Sequence, residues 1–159
     1  MTTHRIDLLP LLEVGDGGMR ADARIVAPYG RRGYVCRGPH QRLPVGDYRV
    51  EFTLTLRSLM TVAGMVRPII LDVVAGADRL AMSEERFALR RTIGLNFSIS
   101  AAAAQKAIEL RIFRGRYIDF TVTAAALTRV APAVAQLGAT VSRPDAPVRS
   151  LASPPAAAL

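Results

Sequence analysis

The chain has no tryptophan, one cysteine, two histidines and one lysine, and no long uninterrupted hydrophobic run. Each shortage excludes something. With Cys36 alone, no internal disulfide can form, so a disulfide scaffold is ruled out. The expected role of Cys36 is a small, half-buried apolar residue in a strand. His4 and His40 leave little for nucleophilic or metal chemistry. Cys36 and His40, four residues apart, supply two ligands where a zinc site takes about four. No serine sits in an elbow motif, and Gly15-Asp16-Gly17-Gly18 lacks the lysine and strand–helix context of a phosphate loop. A non-catalytic protein without cofactor or metal is the expectation. The apolar runs fall far short of the roughly 20 residues of a membrane-spanning helix. Thr2 to Asp7 is polar and Pro10 interrupts Leu8 to Leu12, so no secretory signal is read. The chain is expected to be made in the cytoplasm, with release in a particle or through lysis left open.

What is present is arginine and a high apolar content. Twenty arginines and Lys106, against 13 Asp and Glu, give a formal net charge of +8, and 50% of the 159 residues are hydrophobic. That length supports one domain with its own core. The arginines are spread along the chain, densest at Arg31-Arg32, Arg90-Arg91 and Arg111 to Arg116, with no run of five or more. No basic helix and no nucleic-acid-binding signature accompanies them, so nucleic acid is not an expected partner. An acidic glycan would use the same charge without such signatures.

Hydrophobic periodicity indicates strands. Tyr48, Val50, Phe52, Leu54 and Leu56 alternate with Arg49, Glu51, Thr53, Thr55 and Arg57, a period of two with one apolar face. Leu95, Phe97 and Ile99 alternate with Asn96, Ser98 and Ser100, and Ile108, Leu110 and Ile112 with Glu109, Arg111 and Phe113. Strands are expected at 23–27, 33–37, 47–57, 69–75, 79–83, 86–92, 95–100, 107–114 and 118–130. Turn formers separate them, among them Pro28, Gly30, Pro44, Gly46, Pro68, Gly76, Gly94 and Gly115. Two short helices compete, at 83–91 and 101–106. Ile69 to Val74 is apolar on both faces except at Asp72, which suits a strand covered on both sides with Asp72 paired to an arginine. Many short strands with regular turns imply an all-β fold, an antiparallel sandwich. Residues 1–22 read as an N-terminal arm with an apolar knot, Ile6 to Leu12, and a flexible stretch, Gly15 to Gly18. Residues 23–130 read as the sandwich, and 131–159 as an Ala/Pro-rich tail.

Gly38-Pro39, then Leu43-Pro44-Val45-Gly46-Asp47-Tyr48-Arg49-Val50-Glu51-Phe52, resembles a pattern of small β-sandwich modules attached to bacterial polysaccharide-handling proteins. Leu71 to Ala75, Ile108 to Ile112 and Leu127 to Val130 extend the resemblance over residues 36–130. It resembles the carbohydrate-binding-like sandwich domains found beside glycosyltransferases and polysaccharide-export components. The chain departs from that pattern at His40, where an aromatic Tyr is usual. The resemblance implies a jelly-roll-like sandwich that recognises a glycan, bacterial surface or capsular polysaccharide, without chemistry.

Sugar binding needs planar side chains for the pyranose faces and fixed polar groups for the hydroxyls. With aromatics at 6% of the chain, and Tyr48, Phe52 and Phe97 on the apolar register, the exposed platforms left are Tyr29, Tyr34, Phe113 and Tyr117. Arg37, His40, Gln41 and Arg42 supply donors from the segment before the main strand. The stripe Arg49, Glu51, Thr53 and Thr55 is expected to line a sheet face together with Arg111. The candidate carbohydrate-binding set is therefore Tyr34, Arg37, His40, Gln41, Arg42, Arg111 and Tyr117. A second reading stays open: a structural subunit of a phage-like or other assembly, such as a spike, decoration or connector protein, held to other subunits through residues 1–22 and 131–159.

Overall fold

The computed structural model describes residues 5–57, 68–85, 90–115 and 118–130. The expected strand 86–92 is described only from Arg90. The tail, His4 and Tyr117 lie outside the described residues. Among the described residues there are eleven strands: β1 (Arg5–Asp7), β2 (Glu13–Val14), β3 (Met19–Ala21), β4 (Arg24–Ala27), β5 (Gly33–Gln41), β6 (Gly46–Leu56), β7 (Ile69–Ala75), β8 (Asp78–Glu85), β9 (Arg90–Ile99), β10 (Ile108–Arg114) and β11 (Phe120–Val130). Neither competing helix is present among the described residues, and residues 86–89 of the first lie outside them. Ser83 to Glu85 belong to β8, and Ala103–Gln105 makes a single 3-10 turn.

All pairings are antiparallel and make two sheets. The six-stranded sheet runs β3-β4-β11-β6-β9, with β1 also on β11, and the five-stranded sheet runs β2-β5-β10-β7-β8. From β4 onward the chain passes from sheet to sheet at each connection except the β7–β8 hairpin, which gives the sandwich its jelly-roll character. The alternating residues explain the layers. Tyr48, Val50, Phe52 and Leu54 face inward from one sheet, and Ile69, Leu71, Val73, Ile108, Leu110 and Ile112 from the other, all buried. Tyr48 and Phe97 stack at 5.7 Å inside this core, and the Tyr48 hydroxyl donates to the Pro44 carbonyl at 2.9 Å.

The segment read as an arm is built into the sandwich along its described length. β1 pairs with β11, β2 with β5 and β3 with β4, while Leu8, Leu9 and Leu12 are buried in the common core. The stretch expected to be flexible is a tight turn. The Gly17 amide donates to the Tyr34 carbonyl at 2.8 Å, and the Gly15 amide to that of Val35 at 3.2 Å. Its glycines permit this approach: a Cβ on Gly18 would stand 2.2 Å from the Val35 carbonyl oxygen. Gly94, expected to break a strand, lies within β9 opposite Glu51.

Candidate functional site

The outer face of the five-stranded sheet gathers most of the side chains with ligand-binding character. Its geometry begins with two β-bulges in β5. Arg111 pairs with Arg37 and Ile112 with Cys36, but Phe113 pairs with Tyr34, so Val35 is the extra residue. Strict alternation would turn Tyr34 inward; the bulge brings it onto the outer face beside Phe113. Their rings meet edge-on, with centroids 5.4 Å apart and planes at 74°. The second bulge is at His40, whose φ of 56° is a left-handed conformation found in such irregularities.

Guanidinium groups flank both rings. Arg111 lies 5.1 Å from the Tyr34 ring centre and Arg32 lies 5.8 Å from that of Phe113, both within cation–π range. Arg111 is held from below by Asp72 on β7: its Nε donates to Oδ1 at 2.8 Å and its Nη2 to Oδ2 at 2.5 Å. The Asp72 side chain is only 5% exposed, and Arg79 on β8 approaches it at 3.7 Å. The hydrogen bonds that Arg111 donates to Asp72 raise its pKa further, ahead of the opposing effect of burial, so this cation is permanent. The isolated acid in an apolar strand has thus found the arginine it requires. Next along β5, Arg37 and His40 both stand 3.6 Å from the Glu13 carboxylate of β2, a loose and solvent-exposed triplet.

The structure therefore brings Tyr34, Arg37, His40 and Arg111 onto one face. Gln41 and Arg42 are exposed at the far end of β5, seven and eight positions from Tyr34, roughly 25 Å along an extended strand. The stripe Arg49, Glu51, Thr53 and Thr55 is on β6 in the other sheet, so it cannot line a surface with Arg111. It is an ordinary outer face, with Arg49 donating to Glu51 at 3.0 Å and Thr53 beside Thr92 at 3.3 Å. Tyr29, after β4, is 52% exposed. Glu13 and Arg32 belong to the cluster without having been selected from sequence. A short terminal strand and a loop arginine carry no signal for either.

Cys36 takes no part. It is fully buried on the inner side of β5, not half-buried as expected, while His40 points to the outside, so the two do not meet. Burial pushes its thiol up to about 12. Arg114 is the unexpected core residue: it follows Ile108, Leu110 and Ile112 on the inward register and is completely buried. Its guanidinium donates to the carbonyls of Gly17 (3.0 Å from Nη2), Pro28 and Ile118, tying together three loops at this end of the sandwich. Desolvation lowers its pKa from the usual value.

No protein-family model and no curated protein matches the chain. Among solved structures it is similar to the carbohydrate-binding module TmCBM61 in complex with β-1,4-galactotriose, with 14% identity, 80% of this chain and 88% of that chain covered, and a TM-score of 0.44. It is also similar to the CBM22-1 and GH10 modules of Clostridium thermocellum xylanase 10B complexed with xylohexaose, at 14% identity, covering 83% of this chain and 25% of that one, with a TM-score of 0.43.

Proposed function

We propose that this protein is a non-catalytic carbohydrate-binding domain for bacterial surface or capsular polysaccharide, with the glycan lying on the outer face of the five-stranded sheet. The observation that carries this reading is the Tyr34–Phe113 ring pair with Arg111 and Arg32 against it. Aromatic planes accept the apolar C–H face of a pyranose, and a few fixed polar groups beside them orient its hydroxyls. Arg111 is pre-organised by Asp72, so ordering it on binding costs little. Arg37 and His40, on the same face, add donors. An acidic sugar is favoured because the chain carries +8 and Arg32 has no carboxylate within 4.0 Å among the described residues, whereas Arg37 and Arg111 do.

The test is binding of purified protein to an array of neutral and acidic bacterial polysaccharides, with Tyr34→Ala and Phe113→Ala alongside. Loss of one ring from a stacked platform is worth about 1–1.5 kcal/mol, hence about tenfold in affinity. Wild-type binding that persists at raised salt and falls in both variants supports the site; binding that vanishes with salt reduces it to charge attraction. A second reading, a subunit of a larger particle held through its termini, draws on a different observation. Where β1 meets the end of β11, Ile6, Leu43, Pro44, Tyr48, Leu127 and Arg129 line a mostly apolar cleft of about 370 Å³. Val45 and Val130, 52% and 42% exposed, lie in the adjoining segments. Concentration-dependent self-association or co-purifying subunits that are lost on Val45→Asp would favour that reading.

A further inference from the structure

The six-stranded sheet has a gap on one edge. β4 pairs with β11 only as far as Val122, and β1 pairs with it only from Ala126, so two separate strands share one edge of β11. The interval from Val122 to Ala126 is about 13 Å of extended chain. It contains the bulge at Thr123, and the Leu8 amide closes one end by donating to the Ala125 carbonyl at 2.9 Å. The result is a cleft of about 550 Å³ lined by Asp7, Leu9, Pro10, Arg20, Arg24 and Thr123, with Ala23 beside them. That volume falls within the range of about 300–1,000 Å³ typical of small-molecule sites.

The lining is chemically divided. Leu9, Pro10 and Ala23 are apolar, and Arg20 and Arg24 bring two cations. Arg20 donates to the Leu12 carbonyl, and the Arg24 guanidinium has no hydrogen-bond partner among the described residues. Neither has a carboxylate within 4.0 Å there. Asp7 is the one acid in the cleft, and its Oδ1 accepts from the Leu9 amide at 3.1 Å. Two guanidinium groups against one carboxylate leave the cleft with a net positive charge that a bound anion would complete.

We infer that this cleft is a second ligand site, taking the carboxylate of a sugar acid between Arg20 and Arg24, with the ring on Leu9, Pro10 and Ala23. Asp7 Oδ2 accepts from a ring hydroxyl. The sugar part of this inference rests on the glycan-binding reading; the carboxylate part stands on the cleft alone. The site lies on the opposite sheet from the Tyr34–Phe113 pair, so the two are separable by mutation.

The experiment is a 1H–15N titration of the full chain with D-glucuronate, D-glucose and acetate, each to millimolar concentration. D-glucuronate should shift the amides of Leu9, Ala23 and Thr123, with an affinity about tenfold or more above that of D-glucose or acetate, as one charge-assisted hydrogen bond implies. Arg24→Ala and Arg24→Gln, at an exposed position, should abolish the response, and Tyr34→Ala should leave it unchanged. Absence of these shifts with D-glucuronate, or shifts matched by acetate or by D-glucose, overturns the site. A response lost in Tyr34→Ala but kept in Arg24→Ala also overturns it, because it transfers the ligand to the other sheet.

Discussion

Replacing Arg111 with Met tests the anchor beneath the Tyr34 ring. In the native protein the Asp72 carboxylate, 5% exposed, receives two hydrogen bonds from Arg111, and its other cation, Arg79, is 3.7 Å away on a side chain 56% exposed. Removing one member of a buried pair typically costs about 3–5 kcal/mol, because the other charge is left without compensation. Arg79 can move closer and recover part of this, so the expected loss for Arg111→Met is about 2–3 kcal/mol. Asp72→Leu should cost less, about 1–2 kcal/mol, since Arg111 keeps partial exposure and water can solvate it. The double variant removes both charges and should fall within about 1 kcal/mol of wild type. Urea denaturation of all four proteins gives the coupling energy from the shift in midpoint at constant slope. A coupling below about 0.5 kcal/mol would refute the argument, since that is the scale of an exposed ion pair.

Three further perturbations follow from the fold. Arg114→Met leaves the carbonyls of Gly17, Pro28 and Ile118 buried without their donor; relief from burying a cation offsets part of this, and thermal denaturation should show a loss of about 2–4 kcal/mol. Gly18→Ala places a Cβ 2.2 Å from the Val35 carbonyl oxygen, so β5 and the 15–18 turn must separate, lowering the urea midpoint by an amount equivalent to about 2 kcal/mol or more. Cys36 should resist thiol reagents in the native state and react on unfolding. Its thiol is raised from 9.0 to about 12 in the folded protein, so the unfolded chain releases that proton first. The stability it contributes is therefore complete below pH 9.0 and is lost as pH rises from there through about 12, a dependence that Cys36→Ala should remove.

The long strands were legible because each is long enough to show its period. Alternation from Tyr48 to Leu56 and from Ile108 to Phe113 is the direct imprint of one face on the core and one in water. Ile69 to Val74 was equally readable: Val74 and Asp72, on the outer face of β7, are as buried as expected for a strand covered on both sides. The N-terminal segment was not readable in this way. Strands of three, two and three residues carry no period: β1 and β2 exist because β11 and β5 offer backbone partners distant in sequence, and β3 because it closes a hairpin with β4. The site was partly legible. Arg111 and Phe113 share a face by simple alternation, but Tyr34 joins them only through the bulge at Val35. Tyr34 was selected as an exposed ring, but a bulge shifts register by one residue without a residue type that marks it, so its pairing beside Phe113 was not readable. Arg114 was not read as a core residue: the three carbonyls that satisfy its guanidinium are 97, 86 and 4 residues away along the chain.

The most direct measurement of the central claim is amide chemical-shift mapping with oligosaccharides released from the bacterial polysaccharide that binds most strongly. The account predicts that the perturbed residues cluster at Tyr34, Arg37, His40, Arg111 and Phe113 on the five-stranded sheet. Perturbations confined to the β6 face around Arg49, Thr53 and Thr92, or no polysaccharide that binds at all, would contradict it.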